Sequence, residues 1–188
     1  MELLKAIYER HATRHFSDAT VRGGVILDLL GAAAQAPSAM NLQPWAFAIF
    51  HGRQRLAKYS ERAKAYLLEK IHPLTGLDPR VDRHSDPSVN IFHGADTVIL
   101  ICAKQGPFAP VEDCFLAAEN LMLAAHGLGL GSCPVGFARP WFNDPEVKAQ
   151  LGIPAHYTPV LPIVIGFAAE QPVRLPKNAP EILAWNWE

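Results

Sequence analysis

The chain has 188 residues, 49% of them hydrophobic and 19% charged, with a formal net charge of −1. That balance describes a folded globular protein and excludes a disordered one. The lack of a basic excess argues against a general nucleic-acid binder. The longest apolar runs, at 97–103 and 160–167, are far short of the ~20 residues that span a bilayer.

Residues 2–10 read as a short amphipathic helix, with Leu3, Leu4, Ile7 and Tyr8 at helical spacing. No positive start, apolar core or cleavage site marks this segment, so no signal peptide is expected. Thr20 is placed to cap a second helix that runs to about Ala34. Residues 37–44 set Pro37 and Pro44 among small polar side chains, which breaks both periodicities and predicts a loop. Residues 45–51 read as a strand. Residues 54–70, carrying Leu56, Tyr59, Ala63, Tyr66 and Leu67, read as a third helix.

Residues 72–90 are dense in Pro, Gly, Asp and Arg. The stretch reads as a long loop or a poorly ordered excursion. Loops of that length inside a compact domain are usually functional, which makes 68–90 a candidate lid or substrate loop. The apolar run 97–103 suits a strand buried on both faces. Residues 112–126 are apolar nearly all round and predict a helix buried on every side. Asp144-Pro145 opens a short helix with an N-cap and a first-turn proline, and Gly152 stands at its C-cap. A second buried strand covers 160–167. The order is α-α-β-α-loop-β-α-α-β plus a tail, an α+β domain over 1–188 with one long central helix.

Cys102, Cys114 and Cys133 show no Cys-x-x-Cys spacing and sit in apolar surroundings. They read as reduced buried thiols of a cytoplasmic protein, with no disulfide framework and no zinc site. Trp185 and Trp187 near the chain end need somewhere to bury, and a neighbouring subunit is one such place.

Two motifs point to chemistry. In Arg10-His11-Ala12-Thr13-Arg14, two guanidiniums four residues apart are spaced to converge on one phosphate, which Arg grips bidentately. On spacing alone a solvated basic face on a surface helix is the preferred reading. The loop Ala36-Pro-Ser38-Ala-Met-Asn41-Leu-Gln43-Pro-Trp45 offers a hydroxyl and amides that donate and accept together, as reading a heteroaromatic edge requires. Taken bare, it is a polar turn.

These motifs, in this order, resemble the nitroreductase family. So do Glu119-Asn120 through Gly129-Leu-Gly131-Ser, the turn Pro134-Val135-Gly136-Phe137, and a basic tail after an Ile-Gly-Phe strand. The resemblance covers residues 5–182. It implies a mixed or antiparallel sheet flanked by helices, a long buried central helix and an intertwined homodimer. FMN would lie at the subunit interface, with 170–188 extending toward the partner.

By that resemblance Arg10, His11 and Arg14 bind FMN. Ser38, Asn41 and Gln43 come from the partner subunit. Pro134, Val135 and Gly136 pass the redox edge, and Arg174 or Lys177 supplies the phosphate cation. Ala12 departs from the serine frequent in the family, which removes one hydroxyl contact.

The implied activity is reduction of nitroaromatics, quinones or related electrophiles by NAD(P)H, through ping-pong hydride transfer. The flavin carries the chemistry, tuned by Arg14 and Gly136. The family also contains reductive dehalogenation and flavin-cleavage branches. A redox-sensing FMN-binding protein without turnover is a reading from another class.

Overall fold

The computed structural model describes residues 2–71, 86, 88–106, 110–170 and 175–187. Helices α1 (Leu3–Glu9) and α2 (Gly23–Ala33) precede strand β1 (Trp45–His51) and helix α3 (Arg53–Tyr66), which ends in a π turn at Leu67–Ile71. Strand β2 (Thr97–Lys104), helix α4 (Pro110–Gly127) and strand β3 (Gly131–Pro134) follow. Short helices α5 (Arg139–Asn143) and α6 (Pro145–Gln150) lead into strand β4 (Tyr157–Gly166). The lid expected at 68–90 falls largely on residues 72–85 and 87, outside the described residues.

The sheet order is β1-β2-β4-β3, and every neighbouring pair is antiparallel. The only parallel element among the described residues is an isolated bridge between Ala12 and Ser132. Of the mixed or antiparallel alternatives, the described sheet is thus the antiparallel one. Register slips between Ile101 and Cys102, which pair with Leu161 and Pro159, so Val160 is the extra residue of a bulge.

Period-2 alternation in β2 supplies two cores at once. Ile99, Ile101 and Ala103 pack with Leu29 of α2 and with Ala117, Leu121 and Ala125 of α4. Val98, Leu100 and Cys102 pack on the other face with Leu56 of α3 and with Trp141 and Phe142 of α5. Both faces of the strand are covered, which is why 97–103 is a continuous apolar run.

Three sequence expectations need correction. Thr20 does not cap α2; Arg22 occupies the N-cap with no side-chain bond, because the helix starts at Gly23. Strand β3 reads from sequence as the glycine-rich exit of a helix, and its edge position with four residues explains the weak signal. Helix α4 is not buried on every side in the single chain, since Phe115 and Leu116 stay 45% and 47% exposed. The apolar face of α1 is likewise uncovered, with Leu4 at 66% and Tyr8 at 82%. By contrast, Asp144 caps α6 by accepting from the N–H groups of Glu146 and Val147 at 2.9 and 3.2 Å.

Candidate functional site

The segment after α1 runs out along the sheet edge and is fastened there by backbone. Thr13 N–H donates to the Ser132 carbonyl at 3.0 Å, Ser17 N–H to Phe167 at 2.8 Å, and Ala169 N–H to His15 at 2.9 Å. Two glycines make this approach possible. A Cβ on Gly131 would fall 2.6 Å from Thr13 Cβ, and one on Gly166 would fall 2.7 Å from the Phe16 ring. Distances that short are excluded for carbon, so only glycine lets the N-terminal segment dock. Arg53, at the start of α3, adds a clamp through its bonds to the Asp18 carboxylate and the Ser17 carbonyl.

The docked segment carries Arg10, His11 and Arg14 to the rim of a cavity of about 700 Å³. Pro134 from the end of β3 and Lys177 from the C-terminal segment line the same cavity, with Met122 of α4 forming apolar wall. That volume lies within the ~300–1,000 Å³ usual for small-molecule sites. A smaller cavity of about 460 Å³ adjoins it, sharing Arg10 and His11 and adding Thr13, His126, Ser132 and Glu170.

Arg10 is oriented from α4. Its Nε stands 3.3 Å from Glu119 Oε1, an ion pair whose atoms are not aligned as a hydrogen bond. With Glu119 half exposed, the pair contributes little stability and serves mainly to aim the guanidinium. His11 Nδ1 lies 2.6 Å from the Glu9 carbonyl oxygen, which fixes the ring at the rim. Burial raises the Cys133 thiol above its usual range, while the Arg14 and Arg10 guanidiniums pull it down. Arg10, Arg14 and Pro134, the last residue of β3, line the same cavity.

The other expected residues are not brought to this cavity by the single chain. Val135 is 4% exposed, packs in the core under α5, and commits its N–H to the Pro162 carbonyl at 2.8 Å. Gly136 opens a 3₁₀ turn at Gly136–Ala138 beyond the cavity lining. Ser38, Asn41 and Gln43 form a separate exposed loop and line neither cavity. There Ser38 Oγ accepts from Gln43 N–H at 3.0 Å, and Asn41 Oδ1 accepts from Gln43 Nε2 at 3.1 Å. Arg174 lies outside the described residues.

Sequence reasoning missed Asp113 and the aiming role of Glu119. The available signal was three carboxylates, Glu112, Asp113 and Glu119, in a largely apolar helix, where a charge that becomes buried, as Asp113 does, is rare without a partner.

A cluster of arginine, histidine and lysine at the mouth of an apolar-walled cavity, on the edge of a helix-covered antiparallel sheet, defines a site for a ligand with an anionic group. The chain belongs to the nitroreductase family, whose family model matches residues 7–167. A protein of Archaeoglobus fulgidus, provisionally named an NADH dehydrogenase/NAD(P)H nitroreductase, is 30% identical over 175 residues, covering 90% of this chain and 87% of the relative. One of Methanothermobacter thermautotrophicus with the same provisional name is 29% identical over 176 residues, covering 92% and 80%. The crystal structure of a nitroreductase with bound FMN from Bacteroides fragilis superposes with a TM-score of 0.84 at 24% identity, covering 100% of both chains.

Proposed function

We propose that this chain is an FMN-dependent oxidoreductase that takes electrons from NAD(P)H and passes them to nitroaromatics, quinones or similar electrophiles. The observation that carries the reading is the convergence of Arg10, His11, Arg14 and Lys177 on the rim of one cavity of about 700 Å³. Their donors suit a phosphate, and the Met122 and Pro134 walls suit an apolar ring system. Arg10, Arg14 and Lys177 would hold the phosphate end of FMN, with Arg174 as the alternative cation of the tail. When bound, FMN supplies hydride acceptance and release, in a ping-pong sequence in which the nicotinamide leaves before the acceptor enters. The protein's part is to grip the cofactor, orient it and place positive charge beside it.

The working unit is a homodimer with the flavin at the interface, and the apolar surface of the single chain supports this. Leu3, Leu4, Ile7 and Tyr8 of α1, Phe115 and Leu116 of α4, and Leu183, Trp185 and Trp187 of the tail are all exposed. A monomer rarely leaves so many large apolar side chains in water. A second chain would cover it and bring its own Ser38, Asn41 and Gln43 to the flavin. No described helix is long and apolar enough to cross a membrane, and we place the enzyme in the cytoplasm.

Purification tests the reading directly. The protein should be yellow and should bleach anaerobically with NADH or NADPH. p-Nitrobenzoate or menadione should then restore the colour. A colourless protein that takes up no FMN refutes the assignment. Colour without bleaching indicates a redox-sensing flavin binder, and bleaching that neither acceptor reverses indicates a specialised branch of the family.

A further inference from the structure

Asp113 lies in the first turn of α4 and is 7% exposed. Its two carboxylate oxygens each accept from the Ala39 N–H at 3.2 Å, across 74 residues of sequence. The loop it reaches is under backbone strain. Met40, Asn41 and Gln43 have φ of 49°, 54° and 46°, the left-handed region that asparagine tolerates but side chains such as those of Met40 and Gln43 rarely adopt. Such a run persists only where its surroundings over-determine it.

The loop's own bonds close it on itself. Asn41 N–H donates to Ser38 O at 3.0 Å, Leu42 N–H to Ala39 O at 3.0 Å, and Gln43 N–H to Ser38 Oγ at 3.0 Å. Its attachments to other elements, among the described residues, stand at the two ends. Lys104 N–H donates to Pro44 O at 2.7 Å at one end, and Asp113 takes the other.

We propose that Asp113 is a positioning residue for the cofactor, holding the 38–43 loop in the strained form that presents the Asn41 and Gln43 amides. The inference rests on the flavin assignment above. A carboxylate suits the task because it offers two acceptor oxygens and no donor that would repel the Ala39 N–H. An asparagine keeps one acceptor and loses the charge that strengthens the bond. Asn41 and Gln43 are already bonded to each other, so holding Ala39 orients both amides as a unit.

The test measures FMN dissociation from the purified holoprotein by flavin fluorescence on dilution, beside amide hydrogen exchange at residues 39–43. Asp113→Ala should raise the FMN Kd about tenfold and speed exchange in the loop, as loss of a preorganising charged hydrogen bond predicts. Asp113→Asn should fall between Ala and wild type. In a chain already carrying Asn41→Ala and Gln43→Ala, Asp113→Ala should add little further loss. General destabilisation would instead add fully on that background. Equal affinity and loop exchange in wild type and Asp113→Asn overturns the proposal, whether or not Asp113→Ala folds. Full additivity on the double-alanine background overturns it as well. Failure of wild type to bind FMN removes the flavin assignment and takes the proposal with it, which separates the two failures.

Discussion

Gly131→Ala tests whether the cation-bearing segment is seated as described. The new methyl would lie 2.4 Å from Thr13 Oγ1, 2.6 Å from Thr13 Cβ and 2.7 Å from Thr13 Cγ2. Thr13 is 3% exposed and its main chain is tethered through its N–H to Ser132, so it has little room to retreat. Two effects oppose each other. Replacing glycine in ordinary extended backbone stabilises by about 0.4–1 kcal/mol through the unfolded chain. Overpacking a filled site costs about 1–3 kcal/mol, and contact with a Cβ places this case toward the upper end.

Overpacking wins by about 2 kcal/mol, which for a chain of this size lowers Tm by about 4–8 °C at fixed protein concentration. Lifting Thr13 also shifts Arg10 and Arg14, so the FMN Kd should rise about tenfold. Calorimetry and flavin fluorescence read the two effects. A second substitution identifies the cause. Thr13→Ala leaves the 2.6 Å contact with Cβ and should rescue poorly, whereas Thr13→Gly removes every clashing atom and should rescue better. Wild-type Tm and FMN affinity in Gly131→Ala would refute the docking of residues 12–14 against β3.

Arg14→Ala should release FMN on gel filtration, and unchanged flavin occupancy would remove Arg14 from the site. Tyr8→Glu, at a position 82% exposed in the single chain, should shift sedimentation from dimer toward monomer and lower flavin content; an unaltered dimer would exclude α1 from the interface. Asp144→Ala removes the acceptor for two N–H groups of α6 and should cost about 1 kcal/mol in urea denaturation, with Asp144→Asn close to neutral. Burial, then neighbouring Cys102 and Asp113, pushes the Cys114 thiol up to about 12 from its ordinary 9.0. Burial likewise raises Cys102 to about 11, against a small opposing pull from Lys148. Because the folded chain holds these protons more tightly, stability is full below pH 9. It falls as pH climbs through 9–11 for Cys102 and 9–12 for Cys114. Thermal melts under reducing conditions should show a shallower alkaline decline in Cys114→Ala than in wild type.

How much was legible from sequence depended on where each signal is written. Strand β1 and the buried β2 carry their periodicity locally, so their reading needs no partner. Strand β3 does not, because Gly131 is selected by Thr13, which lies 118 positions away in the chain and leaves no local pattern. Helix α4 misleads for a related reason. Phe115 and Leu116 make it look buried all round, yet the described chain leaves nearly half of each exposed, so the apolar pattern reports a surface the single chain does not complete. Arg10, His11, Arg14, Pro134 and Lys177 were legible as a set because they resemble a family in order and spacing. Their convergence on one cavity came only from the structure. The burial of Val135 was not legible, because an apolar residue in a turn sequence gives no sign of which way the chain will bury it.

Helix α4 also links the two halves of the candidate site. Asp113 and Glu119 are six residues apart, about 9 Å along a helix. The first holds the amide-bearing loop and the second aims Arg10. In the proposed dimer these two attachments serve different flavins. Arg10 belongs to the chain's own cavity, and the loop is sent to the partner's. A rigid helix with its core face packed on the sheet therefore sets the spacing between contributions to both sites. A change that shifts α4 along its axis should weaken both flavins of the dimer together, whereas Arg14→Ala touches only the cavity of the chain that carries it. Mixed dimers with one substituted chain separate these cases. Arg14→Ala in one chain should leave one flavin bound at wild-type affinity. An axial shift of α4 in one chain should leave neither.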